Sequence, residues 1–320
     1  MGSRARLFAT RRLPVDPAEV LGQDIFVTSF ESDRPPTSEE LLESARGASG
    51  LVTQVSDRID AGVLDRLPGL RVVAQMAVGY DNVDVSACRA RGVQVTHTPD
   101  ALTESTAELA LGLLLAVARR FHEGEQLVRL GAWRGFSPTL LLGRELAGRT
   151  LGIVGYGRIG RAVAVRARAF GMRVVASTRR DAPFAPDGVA SHVPFARLLA
   201  ESDFVSLHCP ATASTRHLLG EEELAAMAPG TLLVNTSRGT VVDEAALVRA
   251  LERRHLGGAG LDVFEREPAV HPGLVGRSDV VLLPHLGSAT TEARARMAVC
   301  ALEDAARVVR GERPRHPVPE

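Results

Sequence analysis

The sequence predicts an α/β protein of two domains, each a doubly wound parallel sheet. Three observations predict it. Short apolar runs of strand type alternate with helical stretches along most of the chain, the pattern of parallel strands covered on both faces. The 320 residues are more than one such core usually takes. Between the strand-type run Leu151–Val154 and a helical run from Ile159 to Phe170, Gly155, Gly157 and Gly160 fall in the spacing G-x-G-x-x-G. Strand, glycine turn and helix in that order is the context in which this spacing means dinucleotide binding. The first glycine makes the tight turn, the second lets the backbone approach a pyrophosphate, and the third lets helix and strand pack closely. The phosphates then meet the free N–H groups and positive end of the helix.

In residues 1–97 the expected strands are Leu7–Thr10, Ile25–Thr28, Gly50–Gln54, Arg71–Met76 and Gln94–His97. Helices are expected at Ser38–Ser44, Asp60–Asp65 and Ser86–Arg91. Residues 30–37 carry Pro35 and Pro36 and read as a loop. Ser105-Thr106-Ala107-Glu108 has the form of a capping box opening one long helix, Thr106 to about Leu130, stopped by Gly131. Its first half is apolar on nearly every face, so it must be buried in the core or against another subunit. Trp133 to Gly148 reads as an extended loop. Six strands follow, at Thr150–Val154, Arg173–Ser177, Phe204–Leu207, Thr231–Asn235, Gly260–Val263 and Val280–Leu283. An amphipathic helix from Glu292 to Arg310 closes the chain and is expected to pack on the first domain. The domains are thus 1–97 with 291–320, and 98–290.

Lys+Arg and Asp+Glu are both 38, so net charge points to no nucleic acid. The longest apolar run, Leu109 to Ala118, is about half of a membrane span. The Arg-rich residues 1–14 faintly resemble a transit peptide, but Arg6–Thr10 already reads as strand. Cys88, Cys209 and Cys300 are odd in number and far apart; they read as small buried hydrophobes in a cytoplasmic protein, with no metal site.

Ligands of doubly wound sheets bind beyond the carboxyl ends of the strands. Arg238 follows the strand ending at Asn235, Glu267 follows the strand ending at Val263, and His285 follows the strand ending at Leu283. Together they suit the reduction of a 2-keto acid. His285 can give the carbonyl oxygen its proton, because imidazole ordinarily titrates near neutral pH. Glu267 can hold the other ring nitrogen and favour the charged ring. Arg238 can fork onto carboxylate and carbonyl oxygens, a geometry that Lys cannot supply. A reduced nicotinamide supplies the hydride. His97 and His208 also sit at strand ends, but lack an Arg or Glu partner in sequence and read as structural.

The segments Ala77–Asp84, His97–Pro99, Thr103–Glu108, Gly152–Gly160, Asn235–Gly239, Gly258–Pro268 and Pro284–Ala289 resemble, in order and over nearly the whole chain, the D-2-hydroxyacid dehydrogenase family. Within it they are most similar to the glyoxylate/hydroxypyruvate reductase branch. The resemblance implies a Rossmann cofactor domain and a flavodoxin-like substrate domain, with a cleft between them that closes on the substrate. It implies the Arg238, Glu267 and His285 triad, with Val78 and Gly79 N–H groups on the substrate carboxylate. Thr106 and Asp262 should meet the nicotinamide end. Further cofactor contacts are expected from Arg158, Ile159, Cys209, Pro210, Thr215, Thr236 and Gly287. The helix 106–130 and its following loop are expected to form a homodimer interface. Related reductases often carry a second Trp shortly after Trp133, where this chain has Phe136.

Two further expectations concern specificity. An acid usually ends the second strand, about 20 residues past the glycines, and binds the ribose hydroxyls. Here Thr178-Arg179-Arg180 stands in its place, which suits a ribose phosphate and predicts NADPH, with NADH as a weaker alternative. The chain ends at Glu320 with no appended regulatory domain, which disfavours the phosphoglycerate type; 2-ketogluconate remains an alternative substrate. The near absence of extensions and the intact triad disfavour a third reading, an NAD(H)-sensing scaffold. Glu267 disfavours formate oxidation, where related enzymes typically pair the His with Gln.

Overall fold

The structure is a computed structural model that describes residues 4–32, 34–178 and 187–319. It divides into two compact units, Met1–Leu102 with Ala289–Glu320, and Thr103–Ser288.

The first unit holds β1 (Ala5–Ala9), β2 (Ile25–Ser29), β3 (Gly50–Thr53), β4 (Val72–Gln75) and β5 (Gln94–Thr96). All pair in parallel, in the order β2-β1-β3-β4-β5. This is the flavodoxin-like order of a doubly wound sheet. β3 and β4 are buried at every residue, as strands covered on both faces must be. Helix Ser38–Ser44 opens with a true capping box, in which Thr37 and Glu40 satisfy each other's backbone N–H. A short helix, Pro17–Leu21, was not expected; Asp16 caps it through the Ala18 N–H, with proline in its first turn. The last helix, Thr291–Val309, packs on β3, β4 and β5 with Met297, Ala298, Ala301, Leu302 and Ala305 buried.

The second unit holds β6 (Thr150–Val154), β7 (Arg173–Ser177), β8 (Ser191–His192), β9 (Phe204–Leu207), β10 (Leu232–Asn235), β11 (Gly258–Leu261) and β12 (Val280–Leu282). The order is β12-β11-β10-β9-β6-β7-β8, all parallel. The order reverses between β6 and β9, the Rossmann switch point where a dinucleotide binds. Seven strands replace the expected six; β8 is two residues long and carries no readable period. β11 begins two residues earlier than expected and ends at Leu261, so Asp262 stands just past it.

The long helix departs most from expectation. It runs from Thr103 to Ala118, so Ser105 lies inside the first turn instead of capping it. Ser105 and Thr106 are both buried. The helix ends because Arg144 N–H takes the Ala118 carbonyl at 2.8 Å. Arg120 then adopts a left-handed φ of 56°, and a second helix, Phe121–Arg129, begins. The first helix packs within its own unit on β10, β11, β12 and helix Arg158–Ala169. Only the second buries nothing there. The expected interface helix 106–130 is therefore two elements, and its first part is core.

Candidate active site

The glycine turn follows β6. Gly155 has φ +96° and lies against the backbone of His208 and Cys209, where a Cβ would meet Cys209 N at 2.7 Å. A Cβ on Gly160 would meet the Gly155 carbonyl oxygen at 2.3 Å, whereas one on Gly157 would meet open space. Gly157 caps helix Arg158–Ala169 with no side-chain hydrogen bond, so the helix N-terminus keeps donors for an anion. These features fit a dinucleotide pyrophosphate. Across the switch point, Thr215 closes the turn after β9 by accepting Thr212 N–H at 2.8 Å and donating to Pro210 O at 2.6 Å. Cys209 is buried and Pro210 exposed. Thr236, just past β10, has a buried hydroxyl with no partner among the described residues, a group that a bound ligand can satisfy. Thr178 is half-buried at the end of β7; Arg179 and Arg180 lie outside the described residues.

β10, β11 and β12 are consecutive neighbours in register, Asn235 beside Leu261 and Leu261 beside Leu282. The residues that follow them are thereby brought to one rim. His285 has a left-handed φ of 57°. Its N–H donates to the Asp262 carbonyl at 2.9 Å. Asp262 also accepts Leu286 N–H at 2.6 Å and Gly287 N–H at 2.7 Å. Thr106 donates to the Gly287 carbonyl at 2.9 Å. Asp262 and Thr106 thus hold the turn that presents His285. Burial pushes the Asp262 carboxyl up, against the pull of those two N–H groups.

The His285 Nδ1 lies 2.9 Å from Glu267 Oε2. A carboxylate only accepts, so Nδ1 carries the proton and Nε2 is left for exchange. Glu267 Oε1 accepts Phe264 N–H at 3.1 Å. Burial pushes the Glu267 carboxyl up, but the bond and charge of His285, the Phe264 N–H and the charge of Arg238 outweigh it and hold it below its usual range. Arg238 is half-buried; its carbonyl takes the Asn235 side chain at 3.0 Å, and its guanidinium donates to Ser237 O at 3.0 Å. An imidazole, its carboxylate and a guanidinium therefore share one edge of this sheet.

The profile described as "D-isomer specific 2-hydroxyacid dehydrogenase, NAD binding domain" matches residues 111–287. A glyoxylate reductase of Thermococcus litoralis is 45% identical over 316 residues, 97% of this chain and 96% of that one. The chain belongs to the D-2-hydroxyacid dehydrogenase family. Among solved structures, a glyoxylate reductase from Paecilomyes thermophila matches with TM-score 0.87 and 34% identity, covering 100% of this chain and 99% of that one. An NADPH-dependent glyoxylate/hydroxypyruvate reductase from Sinorhizobium meliloti, in complex with NADP and malonate, matches with TM-score 0.85 and 35% identity, covering 99% and 97%.

In this dehydrogenase the first unit carries Val78 and Gly79 on the loop after β4. No acceptor among the described residues takes their N–H groups. Sequence reasoning missed what holds this loop. His97 Nδ1 donates to Val78 O at 2.9 Å and its ring meets Tyr80 edge-on. Gln75 donates to Gly79 O at 3.3 Å and to Asn82 at 2.8 Å. His97, expected to be structural, has as its partner a carbonyl that no sequence spacing reveals. His208 is half-buried, with Nε2 2.8 Å from Ser206 Oγ, and desolvation of its ring pushes it down to about 4. Cys300 departs from its reading: it is half-buried, 3.3 Å from His316 Nδ1. That nitrogen donates to Asp304, which also takes Arg315 and His316 N–H groups. With both carboxylate oxygens engaged and burial pushing the thiol up to about 12, the trio is a latch for the C-terminal tail.

Among the described residues, no helix is long and apolar enough to cross a membrane.

Proposed function

We propose that this dehydrogenase reduces small 2-keto acids, glyoxylate and hydroxypyruvate, to the D-2-hydroxy acid. The observation that carries this reading is the His285–Glu267 pair beside Arg238, one strand after another from the glycine turn. A bound reduced nicotinamide supplies the hydride. Gly155, Gly157, Gly160, Arg158 and Ile159 hold its pyrophosphate, and Cys209, Pro210, Thr215, Thr236, Thr106, Asp262 and Gly287 line the rest of its path. Arg238 holds the substrate carboxylate. Arg238 also draws charge from the carbonyl. His285 Nε2 gives the carbonyl oxygen its proton while Glu267 supports the imidazolium.

The preferred cofactor is NADPH, because Thr178, Arg179 and Arg180 stand where an acid would bind ribose hydroxyls. The enzyme is a cytoplasmic homodimer in this reading. Phe121, Val128, Leu130, Trp133, Phe136 and Leu142 are all exposed on the second helix and its loop, and Phe136 is 90% exposed. Large apolar side chains exposed along one helix and its loop support a protein interface there. Initial rates of NADPH and NADH oxidation across glyoxylate, hydroxypyruvate, 2-ketogluconate and phosphohydroxypyruvate test the reading. Fastest turnover with NADPH and either of the first two is expected; no turnover with any keto acid overturns it.

A further inference from the structure

His217 has a left-handed φ of 50° without being glycine, a conformation kept only where surroundings impose it. Two contacts impose it. Its backbone N–H donates to the Thr240 carbonyl at 2.8 Å, in the turn that begins with Arg238. Its Nε2 pairs with Glu265 Oε1, two residues before Glu267. The segment continues beside that turn, with Leu219 N–H on the Val241 carbonyl at 3.1 Å.

The turn and the loop also touch directly. A Cβ on Gly239 would stand 1.8 Å from Phe264 C and 2.4 Å from Glu265 N, so the two backbones are in van der Waals contact. Behind them Glu265 and Glu244 clasp each other: Glu265 N–H donates to Glu244 Oε1 at 2.9 Å, and Glu244 N–H to Glu265 Oε2 at 3.3 Å. Glu244 is buried, and burial, aided by the Glu265 charge, pushes its carboxyl up against the pull of the Glu265 N–H and of His271. Two facing carboxyls in a half-dry setting need a donor, and His217 supplies it.

We propose that His217 is a positioning residue which, through Glu265, couples the turn carrying Arg238 to the loop carrying Glu267. Glu267 in turn orients His285, so the spacing of guanidinium and imidazole is set at one remove by His217. The inference rests on the reading of Arg238, Glu267 and His285 as the reacting groups.

His217→Asn tests it, because Asn tolerates the left-handed backbone but is too short to reach Glu265. The expected result is a kcat lower by roughly 10- to 100-fold, the cost of a small misplacement of reacting groups. The KM for keto acid should rise and the KM for NADPH should hold. His217→Gln places an amide donor near the lost Nε2 and should restore most of kcat. His217→Asn combined with Glu265→Ala should cost no more than the worse single variant, since one coupling is removed twice. Wild-type kcat in His217→Asn, or a lowered melting temperature with kcat unchanged, overturns the proposal, as do losses that multiply in the double variant. His285→Ala run alongside separates the two failures. If it keeps full turnover, the reading of the site falls and this inference with it; if it is impaired while His217→Asn is not, only the coupling falls.

Discussion

His285 Nδ1 and Glu267 Oε2 lie 2.9 Å apart although the two residues stand eighteen positions apart in the chain, and both belong to loops at the ends of adjacent strands. The pair fixes which ring nitrogen faces a substrate. His285→Ala should lower turnover by roughly 10²–10⁴-fold, the usual loss on removing a general acid. NADPH affinity, measured by fluorescence titration, should stay within about twofold of wild type, since the imidazole acts in the chemical step. Near wild-type turnover would remove His285 from the role.

The pH profile follows from the same pair. Glu267 is held below the usual carboxylate range, so it stays ionised as pH falls and its imidazole keeps a counter-ion. A carboxyl lowered on folding adds stability that is present at neutral pH and is lost as pH falls through its folded value. Keto-acid reduction should therefore persist as pH falls into the usual carboxylate range and decline on the alkaline side, because a general acid must hold its proton to give it. Glu267→Gln should bring the alkaline decline to lower pH. A limb that does not move in the kcat/KM profile would mean that Glu267 does not support the charged ring.

Arg238→Lys keeps the charge and loses the planar fork. Both kcat and KM for keto acid should suffer, because the guanidinium acts on the carbonyl as well as the carboxylate. A changed KM with intact kcat would reduce Arg238 to steering the anion.

Gly160→Ala would set a methyl 2.3 Å from the Gly155 carbonyl oxygen. Overpacking of this kind costs about 1–3 kcal/mol, and here it moves the phosphate turn itself. A lower melting temperature and weaker NADPH binding should appear together. Gly157→Ala meets open space in the protein, so it should spare stability and weaken the cofactor alone. Equal melting losses in both variants would contradict the assigned turn.

Replacing Thr178 by Asp, with Arg179 and Arg180 made neutral, should reverse the cofactor preference. An acid accepts from ribose hydroxyls and repels a ribose phosphate. The change should appear in the Michaelis constants for NADPH and NADH more than in turnover. A wild-type enzyme that favours NADH would overturn the assignment and leave the triad untouched.

Much of this protein is decided by local pattern. The strand-type runs, the spacing of Gly155, Gly157 and Gly160, and the apolar stripe of helix Thr291–Val309 each lie within one stretch, so periodicity and turn chemistry specify them in sequence. Because strand ends gather on one rim, the positions of Arg238, Glu267 and His285 were also legible. What the sequence could not carry is pairing at a distance. The break at Arg120 comes from a loop residue, Arg144, taking the Ala118 carbonyl, and neither a glycine nor a proline announces it. The hold of His97 on Val78, the clasp of Asp262 on Gly287 and the link from His217 to Glu265 join residues brought together only by packing. Local stereochemistry sets which main elements form and many of their ends. The contacts that aim the side chains depend on the order and register of the strands, which only the tertiary structure decides.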